Sequence, residues 1–337
     1  MKKAAIIFGL GLIIGQLVSA SPAEAREVRI YSGRHYNTDR RAFKAFSKET
    51  GIKVRLIEAT GISLIERLKR EGKNSKADII LLVDAARINN AAQAGLLMPI
   101  QSKKLDQFVP KEYRDPKGRW FGLTRRVRAI IVNPAIVKTS SIKTYADLAK
   151  PEFKGKLCLR KRKNVYNQSL VADQIILKGT DNASNWIKGM VANINQPFYS
   201  GDSSLIRAVG QGKCGIGVVN HYYLARMQAG QSGRKDQSLA RAIKLIMPNP
   251  AHLNVSAAGL ATSAKNKIEG IQLIEYLASP KGSDALAGPT FEYPLRGFGT
   301  SAELKAFGSV NPDNVPISKL GNTQKKAIQL MAENGWQ

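Results

Sequence analysis

Apolar and polar positions alternate along most of the chain in two rhythms. Glu27 to Tyr31 (EVRIY) and Lys53 to Glu58 (KVRLIE) alternate with the period of two that marks a strand with one covered face. Asp39 to Thr50 and Gly61 to Glu71 carry the helical period, and Gly51 closes the first of them. Ala77 to Val83 (ADIILLV) is a continuous apolar run, as in a strand covered on both faces. The segment after Asp84 reads as a helix up to Gly95. Strand and helix in alternation predict an α/β lobe with a mostly parallel sheet.

Past Trp120 the rhythm changes. Arg126 to Val132 (RVRAIIV), followed by Asn133-Pro134, predicts a long strand leaving the first lobe. A second α/β set follows: Lys156 to Leu159 and Gly215 to Val219 as strands, Asn167 to Lys178 and Ser203 to Gln211 as helices. Ser256 to Ala261 reads as a strand returning to the first lobe, and Lys267 to Ala278 as a strongly periodic helix. Two crossings make a hinge. The expected division is a leader over residues 1–25, a first lobe over 26–127 plus about 253–300, and a second over 128–252 plus about 301–337. There is no internal repeat or low-complexity tract.

The leader follows from the start of the chain. Met1, Lys2 and Lys3 precede an apolar run from Ala4 to Val18, and Ala23-Glu24-Ala25 supplies the small-x-small pattern of a signal peptidase site. The run is short for a membrane span, which needs about 20 residues. The first 25 residues hold no cysteine to carry a lipid anchor. The expectation is a free periplasmic protein beginning near Arg26. Export also bears on Cys158 and Cys214, the chain's two cysteines: in an oxidising space a disulfide is expected, the alternative being two buried thiols.

The net charge of +27 changes the picture less than its size suggests. The basic residues are spread along the chain, apart from a cluster at Arg160 to Lys163. Aromatics, 7% of the residues, are not interleaved with them as a stacking platform for nucleic acid requires. We read a solvated surface and expect no nucleic-acid partner. No GxSxG, HExxH or P-loop pattern occurs, and no enzyme is expected.

Three segments carry a resemblance: YSGRHYNTD (Tyr31 to Asp39), RKNVYNQSLVA (Arg162 to Ala172) and GVVNHYYLARM (Gly217 to Met227). With them the whole mature chain resembles the periplasmic ferric-ion-binding proteins of the class II periplasmic binding-protein fold, especially the cyanobacterial type. The resemblance implies two lobes that close on one ferric ion and hand it to an ABC-type permease in the inner membrane, with the protein acting as a monomer. It places Tyr222 and Tyr223 as paired ligands, Tyr166 as a third from the same lobe and Tyr36 as a fourth from the other.

The residues agree on chemistry and on position. Ferric ion is a small, hard acid that prefers anionic oxygen, which phenolate supplies. Tyr222 and Tyr223 follow an apolar strand at a strand-to-helix turn, where α/β sheets keep their ligands. Tyr36 falls in the loop after the first strand, and Tyr166 between a basic loop and a helix. His35 is a further candidate, since some members of the family add a histidine from this loop; adjacent residues of an extended loop, however, point in opposite directions. Another branch uses a histidine and a glutamate from the first lobe, and Glu58 offers a carboxylate there. His221 and His252 read as structural.

Four phenolates around Fe(3+) leave one negative charge in a partly desolvated cleft, so a cation is needed behind them. Arg226 lies on the helix face of Tyr222 and Tyr223, and Arg126 on the crossing strand. Fe(2+) is a second expected cargo if one guanidinium swings between cleft and solvent. The alternative reading is a receptor for an anion, polyamine or amino acid in the same fold, with Ser32-Gly33 and Gly201 to Ser204 at an anion. That reading leaves Tyr222-Tyr223 without a role.

Overall fold

The computed structural model describes residues 26–337, except His35 and Gln196. The leader expected over residues 1–25 and the candidate His35 therefore lie outside the described residues. Among the described residues no helix is long and apolar enough to cross a membrane.

Among the described residues ten strands organise the fold: β1 (Glu27–Ser32), β2 (Lys53–Glu58), β3 (Ile79–Val83), β4 (Leu97–Met98), β5 (Phe121–Val132), β6 (Leu157–Cys158), β7 (Ile216–Asn220), β8 (Lys244–Ile246), β9 (Leu253–Ala261) and β10 (Tyr293–Pro294). β2, β1 and β3 run parallel, as the βα alternation predicts. β9 then pairs antiparallel with β3, and β5 with β9. Short β4 and β10 attach to β9 and β5.

β5 joins two sheets. Phe121 to Val127 pair with β9, whereas Arg128 to Val132 pair antiparallel with β7. β8 also pairs with the second half of β5, and β6 runs parallel to β7. The chain returns to the first sheet through the segment between β8 and β9, so both crossings lie side by side. Helices cover the faces. On the first sheet, Phe43 and Phe46 of the helix Asp39–Thr50 and Leu273 and Leu277 of the helix Lys267–Ala278 pack in one core with Val28, Ile30 and Leu81.

β5 is five residues longer at its start than the pattern predicts, and β9 begins at Leu253 rather than Ser256. In both places polar residues are buried because they are paired: Thr124 bonds Glu292, Arg125 bonds the Pro294 carbonyl and Asn254 bonds Asp84. The helices Thr180–Ala192 and Leu320–Glu333 are not among the predicted elements. The latter joins two others, since Gln324 bonds Gln168 of the helix Val165–Lys178 and Asn90 of the helix Ala85–Gln93. Cys158 and Cys214 form the expected disulfide, tying β6 to the entrance of β7 with their Cα atoms 6.0 Å apart.

Candidate functional site: a tyrosine cluster between the two sheets

β1 ends at Ser32, and the next residues run close beneath a neighbouring loop. A Cβ on Gly33 would stand 3.2 Å from the Cα of Gly61, so the narrow approach suits glycine. Arg34 then turns inward and is 1% exposed. Its guanidinium bonds Asp39 at 2.8 and 3.2 Å, Glu292 at 2.7 Å, Ser256 at 2.8 Å and Thr124 at 3.1 Å. Burial disfavours the charge on Glu292, but Arg34 and Arg126 outweigh it and hold its carboxyl below the usual range. This network anchors the loop, and the Arg34 guanidinium carbon lies 4.9 Å from the centre of the Tyr36 ring.

Tyr166 sits in the first turn of the helix Val165–Lys178, not before it: the helix starts two residues earlier than its apolar pattern. Asn164 caps it by accepting from the Tyr166 backbone N–H at 3.1 Å. Tyr222 and Tyr223 occupy the first turn of the helix His221–Gln228, directly after β7. Their rings stack with centroids 4.6 Å apart, and the Tyr222 Oη stands 3.5 Å from that of Tyr166. A small hard cation holds neighbouring oxygen ligands about 3 Å apart, so this pair needs little movement to share one ion.

Arg226 joins the two sides of the site. Its guanidinium carbon lies 4.8 Å from the Tyr223 ring centre, 5.2 Å from that of Tyr222 and 5.6 Å from that of Tyr36. Arg126 lies 5.1 Å from the Tyr166 ring but is already paired, with Nη2 at 3.3 Å from Asp84, while its Nη1 has no partner. Burial pushes the phenols of Tyr36 and Tyr222 well above their ordinary value of 10, and Tyr223 up to about 12; the nearby Tyr166 adds to each shift. In this arrangement the three are neutral at pH 7.

Behind Tyr166 a second buried network fixes the floor. Arg128 bonds Asp202 at 2.7 Å and Asn167 at 2.8 Å; Arg160 reaches Asp202 at 3.2 Å, and the Asn220 N–H donates to the same carboxylate at 3.0 Å. Burial opposes the charge on Asp202, yet the two arginines hold its carboxyl below the usual range. That carboxylate occupies the N-terminal end of the helix Asp202–Gly210, where the alternative reading would seat an anion. Glu58, the alternative carboxylate, is paired with Arg40. A surface cavity of about 520 Å³ lined by Phe46, Phe108 and Tyr276 includes none of these residues.

Sequence reasoning did not single out Arg34, Glu292 or Asp202. Arg34 is inside the YSGRHYNTD motif, and an arginine two residues before a candidate ligand was an available signal. Glu292 comes from a distant segment that carries no pattern. His221, read as structural, is fully buried and tied to the site: its Nδ1 accepts from the Val127 N–H at 3.1 Å, and its ring stacks on Tyr293 at 4.1 Å and meets Tyr222 edge-on. Burial pulls it down to about 3, so it is neutral.

Residues 74–315 match the family of bacterial extracellular solute-binding proteins. The chain belongs to that family. Members bind solutes and are not enzymes. This binding protein is 37% identical over 95% of its length, and 90% of the relative's, to iron uptake protein A1 of Synechocystis sp.. It is 27% identical to the Fe(3+)-binding periplasmic protein of Serratia marcescens, over 97% of this chain and 96% of the other. Its backbone matches a Trichodesmium iron-binding protein solved with iron and citrate at a TM-score of 0.88, with 40% identity, 92% of this chain and all of the other covered. The ferric binding protein of Campylobacter jejuni gives 0.86 at 34% identity, again over 92% of this chain and all of the other.

Proposed function

We propose that the protein binds one ferric ion through the phenolates of Tyr36, Tyr166, Tyr222 and Tyr223 in the periplasm and delivers it to an ABC-type permease in the inner membrane. The observation that carries the reading is Arg226, whose guanidinium lies over the rings of Tyr36, Tyr222 and Tyr223, residues from two separate chain segments. The donors suit the cargo: four phenolate oxygens are hard and anionic, and Arg226 offsets the one charge they leave in excess of Fe(3+). The iron-binding relatives support the same cargo.

The two lobes, 26–127 with about 253–300 and 128–252 with about 301–337, meet where β5 changes sheet between Val127 and Arg128. Closure about the two crossings buries the ion, keeps it from hydrolysis, and presents both lobe surfaces of one monomer to the permease. Arg126, its Nη1 free, is a further counter-ion behind Tyr166. A ferrous ion needs less phenolate charge, and a swing of Arg226 adjusts the balance; unchanged ferrous affinity in Arg226→Ala sinks that extension.

The experiment is a visible titration of residues 26–337 with ferric citrate, beside Tyr222→Phe and Tyr223→Phe. Ferric phenolate absorbs in the visible, so a band saturating at one iron per chain and lost or shifted in the variants is expected. No band, with unchanged thermal stability, removes iron from the reading.

A further inference from the structure

Beside the small pocket that His252 and Tyr166 both line, three polar atoms meet, none of them bonded outside their own cluster among the described residues. Asp173 belongs to the helix Val165–Lys178, His252 directly precedes β9, and Asp313 lies in the loop before the helix Leu320–Glu333. One donor-type atom from each lies within 4.8 Å of the other two. Asp173 and His252 are 1% and 2% exposed. Asp173 Oδ1, His252 Nδ1 and Asp313 Oδ2 are three of the ten buried side-chain polar atoms that lack a hydrogen-bond partner among the described residues. Three such atoms at one point imply a shared occupant, either a cation or protons.

The neighbouring amide decides between them. Asn254 Oδ1 accepts from the backbone N–H groups of Ala85 and Val255, both at 2.8 Å, which fixes the side chain's orientation. Its NH2 group therefore faces outward, toward Asp84 at 3.2 Å and His252 Nε2 at 3.4 Å. An amide donor beside Nε2 wants a lone pair there, so a neutral ring carries its hydrogen on Nδ1. Nδ1 stands 3.1 Å from Asp173 Oδ1. A cation on Nδ1 would force the proton to Nε2, against the amide hydrogens. The arrangement selects protons.

The cluster stands where both crossings touch. The His252 N–H donates to Tyr145 Oη at 3.1 Å, the Tyr145 hydroxyl donates to the Arg128 carbonyl at 2.5 Å, and the Arg128 N–H returns to the His252 carbonyl at 3.2 Å. Arg128 is the residue at which β5 enters the second sheet. Ala251 and Asp313 exchange backbone bonds with each other's segment: Ala251 N–H to Asn311 O at 2.8 Å and Asp313 N–H to Ala251 O at 3.0 Å.

We propose that Asp173, His252 and Asp313 form a proton-holding latch that clamps the returning strand to the chain's C-terminal segment, tight when protonated and loosened when a proton leaves. Burial, with the Asp173 carboxylate beside it, pushes the Asp313 carboxyl up to about 6. Burial opposes charge on His252 while Asp173, Asp313 and the more distant Asp84 favour it; the Asn254 amide opposes the Nε2 hydrogen that a charged ring needs, so the proton the latch gains and loses is that of Asp313. Asp84 is itself held by Arg126, and Tyr145 stays a neutral phenol. Asp313 binds its proton more tightly folded than unfolded. Its stabilisation is therefore complete below the ordinary carboxyl value of 3.8 and is lost as pH rises to about 6.

The test is the thermal midpoint of metal-free residues 26–337 from pH 5 to 8, wild type against Asp313→Asn. Asparagine keeps an acceptor for the Val315 N–H, which Asp313 now takes at 2.9 Å, and stays neutral. The variant's midpoint relative to wild type should rise by about 3 °C between pH 5 and pH 8. Parallel profiles overturn the latch. So does equimolar zinc(II) raising the midpoint of wild type but not of the variant, which would make the cluster a cation site. Should the variant fail to fold, nitrogen-15 NMR of wild-type His252 decides: a neutral Nδ1–H ring supports the latch, and an Nε2–H or doubly protonated ring overturns it.

Discussion

The Arg226 guanidinium carbon lies 4.8 Å from the centre of the Tyr223 ring, one turn earlier on the same helix. Over neutral phenols this is a cation–π contact; once the phenols ionise it becomes a positive charge beside the rings of three of the proposed ligands. The two states differ in what Arg226 contributes, and that makes its removal informative.

Arg226→Ala should leave the metal-free fold nearly unchanged, since the side chain is half-buried and makes no ion pair among the described residues. Ferric affinity should fall by about ten- to a hundredfold, as a partly desolvated site loses its counter-ion. Arg226→Lys should recover part of the loss. Competition against a calibrated chelator measures both, and equal affinities in all three proteins would remove Arg226 from the site.

Arg34 predicts a different kind of defect. Its guanidinium is the shared partner of Asp39 and Glu292, and all three side chains are buried. Arg34→Met leaves two carboxylates without a cation, at a cost of about 3–5 kcal/mol. Urea unfolding of the metal-free protein should show the loss. Glu292→Gln removes only one of the paired charges and should cost less. If Arg34→Met unfolds at the wild-type urea midpoint, the network does not anchor the Tyr36 loop.

What was legible in the chain follows from which signals are local. The helices Asp39–Thr50, Gly61–Glu71 and Lys267–Ala278 and strand β2 have the expected limits, because a regular apolar period and a terminal glycine are properties of neighbouring residues. The start of β5 and the C-terminal helix were not legible. Buried Thr124 and Arg125 break the strand pattern there, and only their partners at Glu292 and Pro294, distant in sequence, explain them. The site divides in the same way. The four tyrosines stand in motifs near element ends, whereas Glu292 and the Asp173–His252–Asp313 cluster are assembled by topology alone.

The disulfide closes a long loop, with 56 positions separating Cys158 from Cys214. A loop of that length restricts the unfolded chain by about 4 kcal/mol on a chain-entropy estimate. Cys158→Ala with Cys214→Ala should lower urea stability by that order. Because the bridge ties β6 to the segment before β7 and supplies none of the proposed ligands, iron stoichiometry should stay at one per chain. Loss of the visible band at full folding would mean that the bridge sets the position of the helix His221–Gln228.

The pH dependence of binding counts the ligands. With Tyr36 and Tyr222 held well above 10 and Tyr223 at about 12, these phenols begin protonated at pH 7, and each one that ligates must release its proton. Affinity therefore rises with pH, by about one decade per pH unit for each proton released. Ligation by these three gives a slope of at least about three. The slope comes from competition titrations at pH 6, 7 and 8, corrected for the chelator's own protonation, with proton release measured directly in weakly buffered solution. A slope near three in the wild type that drops by one in Tyr36→Phe fits ligation from both sides of the cleft. A slope unchanged by Tyr36→Phe would leave the ion on Tyr166, Tyr222 and Tyr223 alone, and the first lobe would then close over a site it does not help to bind.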